Sequence, residues 1–366
     1  MPVKKGNIMK KLILLISILL LTPCTSMATD KNNILAWPDN LPVYDHIVVV
    51  VEENKDYEEV IGNKYAPYIN DVLKKEGANF IKIFGEEHFS QGNYYWLFSG
   101  DNQNVGFTDQ VPNKTINSSY PFTTGNLGYQ LIKKGFSFKG YSESLPAIGS
   151  TVAKQGVYAR KHVPWISFGN VPNGPTIETS SNLRLKDFPS PSEYDKLPTV
   201  SFVIPNLDND MHNCYPPNCS PGPQEEMMKC CIKKGDDWLK ENIGPYYQWS
   251  KKNNSLLILT FDENDDKRGY LGLTNPMIKS EKNFCDSSKI DPEYCEDLEN
   301  KIVTIFAGAH IKPGDYMEGK GITHVNILRT LEAMYGLPKS GKQQPNAAGY
   351  GISDDYIITD VFETVR

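Results

Sequence analysis

Four short apolar runs along the chain have the pattern of central β-strands. They cover residues 46–51, 199–204, 255–261 and 301–306. Each run is rich in valine, isoleucine, leucine or phenylalanine, which is typical of strands buried on both faces of a parallel sheet. Mixed apolar and polar patterns in the intervals predict helices at 65–75, 122–134, 236–249 and 324–335. The alternation indicates an α/β protein with a central, mostly parallel sheet.

Polar clusters follow directly after the first three runs. They contain Glu53 and Asn54, then Asp210 and His212, then Asp262 and Glu263. Ligand sites in open α/β sheets lie beyond the carboxyl ends of the strands, so we expect the three clusters to converge. Any one cluster alone would be typical of a solvated loop, and the prediction therefore depends on the convergence.

The side chains in these clusters suit a divalent cation. Four of them are oxygen donors, which hard or borderline cations prefer to thiolates: Glu53, Asn54, Asp262 and Glu263. A cation held there would polarise a phosphate oxygen and lower the pKa of a nearby hydroxyl. Asp210 and His212 lie on one side of an extended segment, where they would bind a second metal or transfer protons.

A serine stands where a predicted strand gives way to a predicted helix. Residues 78–84 alternate as a half-buried strand does, and the residues from Asn93 to about Gly100 indicate a helix. Ser90 would then lie among unpaired N–H groups at the positive end of the helix, which favours a phosphate and a serine alkoxide. Asn93 can point its amide at the same oxygens. The alternative interpretation is an ordinary N-cap serine.

Three further histidines lie near these elements. His88 precedes Ser90 by two residues and would face the same side if the strand continues. His162 follows Lys161 in a basic cluster, which predicts either a phosphate contact or a surface turn. His324 stands at the start of a predicted helix and has either a functional role or a capping one.

The first residues have the three parts of a secretory signal peptide. Four lysines precede the apolar run Leu12–Leu21, and Ser26 and Ala28 supply the small residues of a cleavage site. We expect residues 1–28 to be removed and 29–366 to form a single catalytic domain in a secreted or periplasmic protein. The apolar run is too short for a transmembrane segment. Cys24 raises a lipoprotein alternative, which Pro23 disfavours.

Charge and cysteine content narrow the possible partners. The formal charge is −6, and without residues 1–28 it becomes −10, with 34 Lys+Arg against 44 Asp+Glu. An acidic protein of this kind argues against nucleic acid as a partner.

Six cysteines remain after residues 1–28 are removed, and an even number in an exported chain predicts disulfides. Because the six fall in two loop-like regions, we expect Cys285 to pair with Cys295 and the other four to pair among themselves. The rival interpretation is a zinc site, but the spacing of Cys214 and Cys219 and the adjacent Cys230 and Cys231 do not fit a ligand quartet.

The order of the motifs resembles the bacterial and fungal acid phosphatase and phospholipase C phosphoesterase family. The similarity runs from about residue 45 to 340 and rests on Glu53-Asn54, His88-x-Ser90-x-x-Asn93-Tyr94, Asn206-x-x-x-Asp210-x-His212, Phe261-Asp262-Glu263 and Thr323-His324 with Gly336-Leu337-Pro338. The resemblance implies an alkaline-phosphatase-like three-layer sandwich with long loops around the active site.

The resemblance also implies a role for each candidate residue. Ser90 would be the nucleophile and Asn93 a donor to the phosphate oxygens. One or two divalent metal ions would be bound, chiefly by Glu53, Asn54, Asp262 and Glu263. The neighbouring part of the site, either a second metal site or acid and base groups, would consist of Asp210, His212 and His324. Substrate would be contacted by His88, Lys161 and His162.

The position of the second aspartate leaves an alternative open. Asp208 lies four residues before His212, the spacing that related phosphodiesterases use for metal, so it competes with Asp210 for one role. The family pattern favours Asp210.

We therefore expect an exported, metal-dependent phosphomonoesterase, an acid phosphatase that works through a phosphoserine. The alternative is a phospholipase C, which would cut a phospholipid diester at the same centre. The residues after Glu263 are Asn264-Asp265-Asp266, which is closer to the acid phosphatases than to the His-Gly-Gly common in phospholipases. A binding protein that has lost turnover is a third hypothesis, and the intact Ser90 argues against it.

Overall fold

The computed structural model describes residues 1–2, 41–106, 108–265, 300–316, 321–349 and 351–363. Its strands are β1 (His46–Glu52), β2 (Ala78–Phe80), β3 (Ile83–Phe84), β4 (Phe138–Ser142), β5 (Lys154–Gln155), β6 (Tyr158–Ala159), β7 (Asn182–Arg184), β8 (Val200–Ile204), β9 (Ser255–Phe261), β10 (Thr304–Gly308), β11 (Gly314–Tyr316) and β12 (Ile322–Thr323). Eight of them form one sheet in the order β11-β2-β10-β9-β1-β8-β4-β7, and β3–β12 and β5–β6 form two small pairs.

The centre of the sheet is parallel and fully buried. Strands β9, β1, β8, β4 and β7 run in the same direction. Every residue of β8 and β9 is buried, as is every residue of β1 after His46. The continuous apolar pattern of these runs is explained by this burial on both faces. The structure thus confirms the mixed α/β class with a mostly parallel central sheet.

The fourth apolar run differs from the prediction. It forms β10 at Thr304–Gly308, about three residues later than expected, and β10 is antiparallel to both β9 and β2. An apolar run shows that a strand is buried but carries no information about its direction. The predicted strand 78–84 is also divided, because β2 joins the main sheet whereas β3 pairs with β12.

Along the chain, the helices lie between the strands of the sheet. They are α1 (Tyr57–Val60), α2 (Ser90–Ser99), α3 (Leu127–Lys133), α4 (Gln224–Asn242), α5 (Gly244–Ser250), α6 (His324–Met334) and α7 (Pro345–Gly349), with a π-helical turn at Ile69–Lys74 and 3₁₀ turns at Arg160–His162, Pro164–Ser167, Leu185–Asp187 and Pro191–Lys196. No helix in the described part of the chain is long and apolar enough to cross a membrane.

Two helix boundaries have clear local causes. The helix predicted at 122–134 begins only at Leu127, because the side chain of Asn126 caps it by accepting a hydrogen bond from the Tyr129 N–H. The helix predicted at 236–249 is two helices, since Pro245 stands in the first turn of α5 and a proline cannot continue the preceding helix.

Two disulfides tie the segment after β8 to α4. Cys214 is bonded to Cys231 and Cys219 to Cys230, which confirms that these four cysteines pair among themselves. Cys285 and Cys295 lie outside the described residues. The signal peptide at 1–28 lies almost entirely outside them as well, so it and the domain boundary at 29 stay predictions.

Candidate active site

The polar clusters after β1, β8 and β9 come together at one edge of the sheet. The backbone N–H of Glu53 donates to the carbonyl oxygen of Asp210 at 2.8 Å. On the other side of β1, the N–H of Asn54 donates to Asp262 Oδ1 at 3.0 Å. The convergence expected from the parallel strands is therefore observed, and backbone hydrogen bonds fix it.

Ser90 is the first residue of α2 and points into this cluster. Its hydroxyl donates to Glu53 Oε2 at 2.9 Å and lies 3.4 Å from Glu263 Oε1, and the residue is only 1% exposed. The N-cap position belongs to Phe89, so the interpretation of Ser90 as an ordinary N-cap is wrong. All ten residues of α2 are buried, which holds the serine firmly.

The turn before α2 is strained and held by hydrogen bonds. Phe89 has a φ of 82°, a conformation that costs a residue with a side chain on the order of 1–3 kcal/mol. Its N–H donates to Glu263 Oε2 at 3.0 Å. Asn93 closes the same turn, because its Oδ1 accepts from the N–H groups of Glu86 at 2.8 Å and Glu87 at 3.0 Å.

The side chain of Asn93 also donates within this turn. Its Nδ2 donates to the carbonyl oxygen of Glu87 at 2.5 Å, so the carboxamide is engaged with the backbone of the turn at both ends. The sequence spacing from Ser90 suggested a donor to the phosphate. These contacts shape the turn carrying the serine, and donation of the second Nδ2 hydrogen to a phosphate stays a prediction.

Glu53 lies at the centre of the site and is completely buried. Tyr94 donates its hydroxyl to Oε1 at 2.5 Å, and Ser90 donates to Oε2. Burial raises the pKa of Glu53, but the nearby His162, His212 and Lys161 outweigh it, and the pKa lies well below its ordinary value. Glu53 is therefore a carboxylate.

The Asp262-Glu263 pair completes the strand-end part of the site. Asp262 Oδ1 accepts from the N–H groups of Asn54 and Glu263, whereas its Oδ2 is buried without a hydrogen-bond partner. Glu263 Oε1 accepts from Asn54 Nδ2 at 3.1 Å. Burial, Glu53 and Glu263 raise the pKa of Asp262 well above its ordinary value.

Asp210 and His212 occupy the segment after β8. Asp210 Oδ1 accepts from the His212 N–H at 3.1 Å, and Asp210 Oδ2 is buried without a partner. Burial and the neighbouring Glu53 raise the pKa of Asp210 to about 8. The His212 side chain is 47% exposed and its Nδ1 lies 3.8 Å from Glu53 Oε2, so it faces both the cluster and solvent.

His162 and Lys161 approach from a 3₁₀ turn. His162 Nε2 lies 3.3 Å from Glu53 Oε1 without a hydrogen bond, and its ring stacks on Tyr94 with centroids 5.1 Å apart. Burial lowers the pKa of His162 to about 4. Lys161 Nζ donates to Ser90 Oγ at 3.4 Å, which places a cation beside the serine. The phosphate contact predicted for Lys161 stays a prediction.

The two remaining predicted histidines, His88 and His324, contact other groups of the site. His88 Nδ1 donates to Glu263 Oε2 at 2.8 Å, so it supports a carboxylate of the cluster. His324 is 1% exposed, and its Nε2 donates to the carbonyl oxygen of Phe261 at 2.7 Å. Burial lowers the pKa of His324 to about 4, so the ring is neutral. Its Nδ1 has no hydrogen-bond partner and is free for a ligand, and the predicted catalytic role of His324 stays a prediction.

Sequence reasoning assigned no role to three residues of the site. Tyr94 lies four residues after Ser90, so the helical repeat places both on one face of α2, and that spacing was the available signal. Asp109 accepts from Lys161 Nζ at 2.8 Å, and Gln91 donates its N–H to Asp109 Oδ1 at 3.3 Å. Neither contact has a sequence signal, because Asp109 comes from a distant loop.

The residues present fit a divalent cation. Glu53, His162 and Asp210 bring ligand atoms within 4.8 Å of one another. Three oxygens of the wider cluster are buried without a hydrogen-bond partner: Asn54 Oδ1, Asp210 Oδ2 and Asp262 Oδ2. Buried polar atoms are normally hydrogen-bonded, so these atoms are positioned for a ligand of another kind. Oxygen donors of this type are those that hard cations prefer.

The chain is similar to known phosphatases. The model of the Phosphoesterase family matches residues 72–338. A phosphatidylinositol-3-phosphatase of Mycobacterium tuberculosis is 41% identical over 304 residues, which cover 82% of this chain and 80% of that protein. A probable acid phosphatase of Kluyveromyces lactis is 24% identical, over 83% of this chain and 61% of its own length.

Solved structures with low sequence identity support the fold. A protein of the alkaline phosphatase superfamily from Vibrio parahaemolyticus has a TM-score of 0.51 and 11% identity, over 82% of this chain and 69% of its own. The lipoteichoic acid synthase LtaP from Listeria monocytogenes has a TM-score of 0.52 and 13% identity, over 87% and 77%. The family match covers most of the chain and includes Ser90, and the fold is alkaline-phosphatase-like. This chain therefore belongs to the Phosphoesterase family.

Proposed function

We propose that this protein is an exported, metal-dependent acid phosphatase in which Ser90 is the nucleophile. Membership of the family makes it a hydrolase of phosphate esters. The observation that carries the finer proposal is the 2.9 Å hydrogen bond from the Ser90 hydroxyl to buried Glu53 at the start of α2. A serine held there has its hydroxyl oriented by a carboxylate and its oxygen at the positive end of a helix.

A divalent cation would be held by the strand-end residues. Asn54 and Asp262 would offer their unpartnered oxygens, and Glu53 and Glu263 would complete the set. Asp210 and His162 lie close enough to Glu53 to share a second ion. When bound, the metal would neutralise charge on the phosphate and stabilise the serine alkoxide.

The chain's own groups orient the phosphate and the nucleophile. Glu53 accepts the hydrogen bond of the Ser90 hydroxyl and so directs the oxygen for attack. Lys161 binds the transferring oxygens and the positive end of α2 favours their charge, because charge-assisted donors and a helix N-terminus both favour an anion. Asn93 and His88 hold the turn and Glu263 in place.

A proton must reach the leaving alcohol, and His212 is the group best placed to supply it. Its side chain is 47% exposed, whereas His162 and His324 are almost completely buried. An imidazole at the mouth of the site can protonate the alcohol and then take a proton from the water that hydrolyses the phosphoserine.

The proposed substrate is a phosphate monoester. Lys161 lies beside Ser90, and a dianionic monoester gains more from such a cation than a diester does. The relative that is 41% identical is named for a phosphoinositide monoester, so phosphatidylinositol 3-phosphate belongs in the substrate panel. The panel also includes a chromogenic monoester and phosphatidylcholine. Faster cleavage of phosphatidylcholine than of any monoester would favour a phospholipase C.

Export is supported by the disulfides, which persist in oxidising compartments. The N-terminal sequence of protein recovered from outside the cytoplasm should begin at Thr29. Protein that keeps residues 1–28 in the cytoplasm would contradict the proposed export.

The nucleophile is tested by Ser90→Ala. This variant should lose turnover by more than about 10³-fold, because the covalent route is removed while the fold remains. Ser99→Ala is a matched control: Ser99 is a buried serine of the same helix, and its hydroxyl donates to the backbone oxygen of Tyr95. Ser99→Ala should keep most of its activity. Near-normal turnover of Ser90→Ala would place the nucleophile elsewhere.

A further inference from the structure

Asp109 joins the nucleophile to the cation beside it. Its Oδ2 accepts from Lys161 Nζ at 2.8 Å, and its Oδ1 accepts from the N–H of Gln91 at 3.3 Å. Gln91 directly follows Ser90 in α2. A single carboxylate thus contacts both the residue after the serine and the lysine that approaches the serine.

The loop that carries Asp109 is fastened on both sides of this carboxylate. Gln91 Nε2 donates to the carbonyl oxygens of Thr108 and Gln110, each at 3.1 Å. Arg160 Nη2 donates to the carbonyl oxygen of Pro112 at 3.1 Å. Gln91 is 1% exposed and Arg160 is 9% exposed. The buried side chains of Gln91, next to Ser90, and of Arg160, next to Lys161, therefore set the position of Asp109.

Lys161 needs such a partner to remain near Ser90. A lysine side chain has four rotatable bonds and loses considerable conformational entropy when its ammonium is fixed. The only other hydrogen bond of its ammonium in the described residues is the long one of 3.4 Å to Ser90 Oγ. An ammonium has three donors, so the bond to Asp109 leaves donors for Ser90 and for a phosphate oxygen.

We propose that Asp109 is a positioning residue that fixes the Lys161 ammonium beside Ser90 Oγ. Lys161 then meets the phosphoryl oxygens in the transition state without a search among rotamers. This inference rests on the proposed function, with Ser90 as the nucleophile. The loop around residues 108–112 would then affect the turnover rate through Lys161.

A double-mutant cycle tests whether Asp109 acts through Lys161. The mature protein, Asp109→Ala, Lys161→Ala and the double variant are compared by steady-state kinetics on a chromogenic phosphate monoester. Asp109→Ala should lower kcat roughly tenfold or more and change KM less, as expected for a lost charge-assisted contact. The double variant should match Lys161→Ala within about twofold, because nothing remains for Asp109 to position.

Asp109→Asn provides the conservative comparison. Its side-chain oxygen can still accept from Lys161, so its kcat should lie within about threefold of wild type. If Asp109→Ala does not fold, Asp109→Asn takes its place in the cycle. Its smaller loss of kcat should be absent when Lys161 is already replaced by alanine. Asp195→Ala, which changes an exposed acid on the 3₁₀ turn Pro191–Lys196, should leave both kinetic constants unchanged.

Two results would overturn the positioning role. The first is a lower KM with undiminished kcat in Asp109→Ala, which would make Asp109 an anion that competes with the phosphate. The second is an equal loss of kcat from Asp109→Ala in the wild-type and Lys161→Ala backgrounds, which would make its role purely structural. The proposed function fails separately, if Ser90→Ala keeps its turnover.

Discussion

The two halves of the active site are built in different ways. The strand-end half carries Glu53 and Asp262 directly after β1 and β9, two parallel strands paired over their whole length. The loop half carries Lys161 and His212 on a 3₁₀ turn and on a segment tied by disulfides. Sheet hydrogen bonds fix the first half, whereas side-chain contacts and cross-links fix the second. A change to a strand-end residue should therefore cause the largest loss of activity, and a change to the contacts that position the loop half should cause a smaller one.

The largest effect is expected at the strand ends. Asp262→Asn keeps the shape of the side chain but removes a charge from the proposed metal site, so we expect activity to fall by about 10²–10³-fold. Bound metal, measured by mass spectrometry of the dialysed protein, should fall with it. Exhaustive chelation of the wild type should also abolish activity, and a divalent cation should restore it.

Asp45→Asn is the matched control for this change. Asp45 is exposed next to the opposite end of β1, so its replacement should leave activity and metal content unchanged. Full activity of metal-free wild-type protein would contradict the metal-dependent account of the strand-end half.

An intermediate effect is expected where α2 meets Glu53. Tyr94→Phe removes the hydroxyl that donates to Glu53 Oε1 at 2.5 Å, a hydrogen bond to a charged group worth roughly 1.5–3 kcal/mol. We expect kcat to fall about tenfold or more, with the ring still stacked on His162. Tyr95→Phe is the control, because that hydroxyl donates to Ser167 instead. Equal losses in the two variants would show that Tyr94 only supports the fold.

The smallest effect on activity is expected from the disulfides of the loop half. Cys214 lies two residues after His212, so Cys214→Ser with Cys231→Ser should loosen that segment and lower kcat severalfold. The free energy of unfolding should fall by about 2–4 kcal/mol, measured by denaturant titration. Removing the Cys219–Cys230 bond instead should change kcat less. If it lowers kcat as much, the cross-link next to His212 has no special part in the site.

The contrast between the strand-end half and the loop half also explains how much of the site the sequence could predict. Residues at the ends of buried parallel strands converge by geometry, so Glu53 and Asp262 could be placed together from the apolar pattern alone. The start of α2 at Ser90 was likewise close to its predicted place. Asp109 could not be found, because its contact with Lys161 depends on the path of a loop with no periodic pattern.

The directions of individual side chains were also beyond prediction from the sequence. Asn93 has the spacing of a phosphate donor, yet its carboxamide satisfies backbone groups of the turn that the strained Phe89 creates. His324 begins a helix as expected, but its burial and its bond to the Phe261 carbonyl decide its protonation. Both outcomes depend on tertiary contacts that a linear pattern does not contain.

The central claim is that Ser90 becomes phosphorylated during turnover. The most direct measurement is to mix enzyme with excess phosphate monoester, quench in acid within the first turnovers, and map the phosphopeptide by mass spectrometry. We expect a phosphoryl group on Ser90, absent from Ser90→Ala and present in Ser99→Ala. A phosphoryl group on a histidine, or rapid turnover with an unmodified Ser90 throughout, would contradict it.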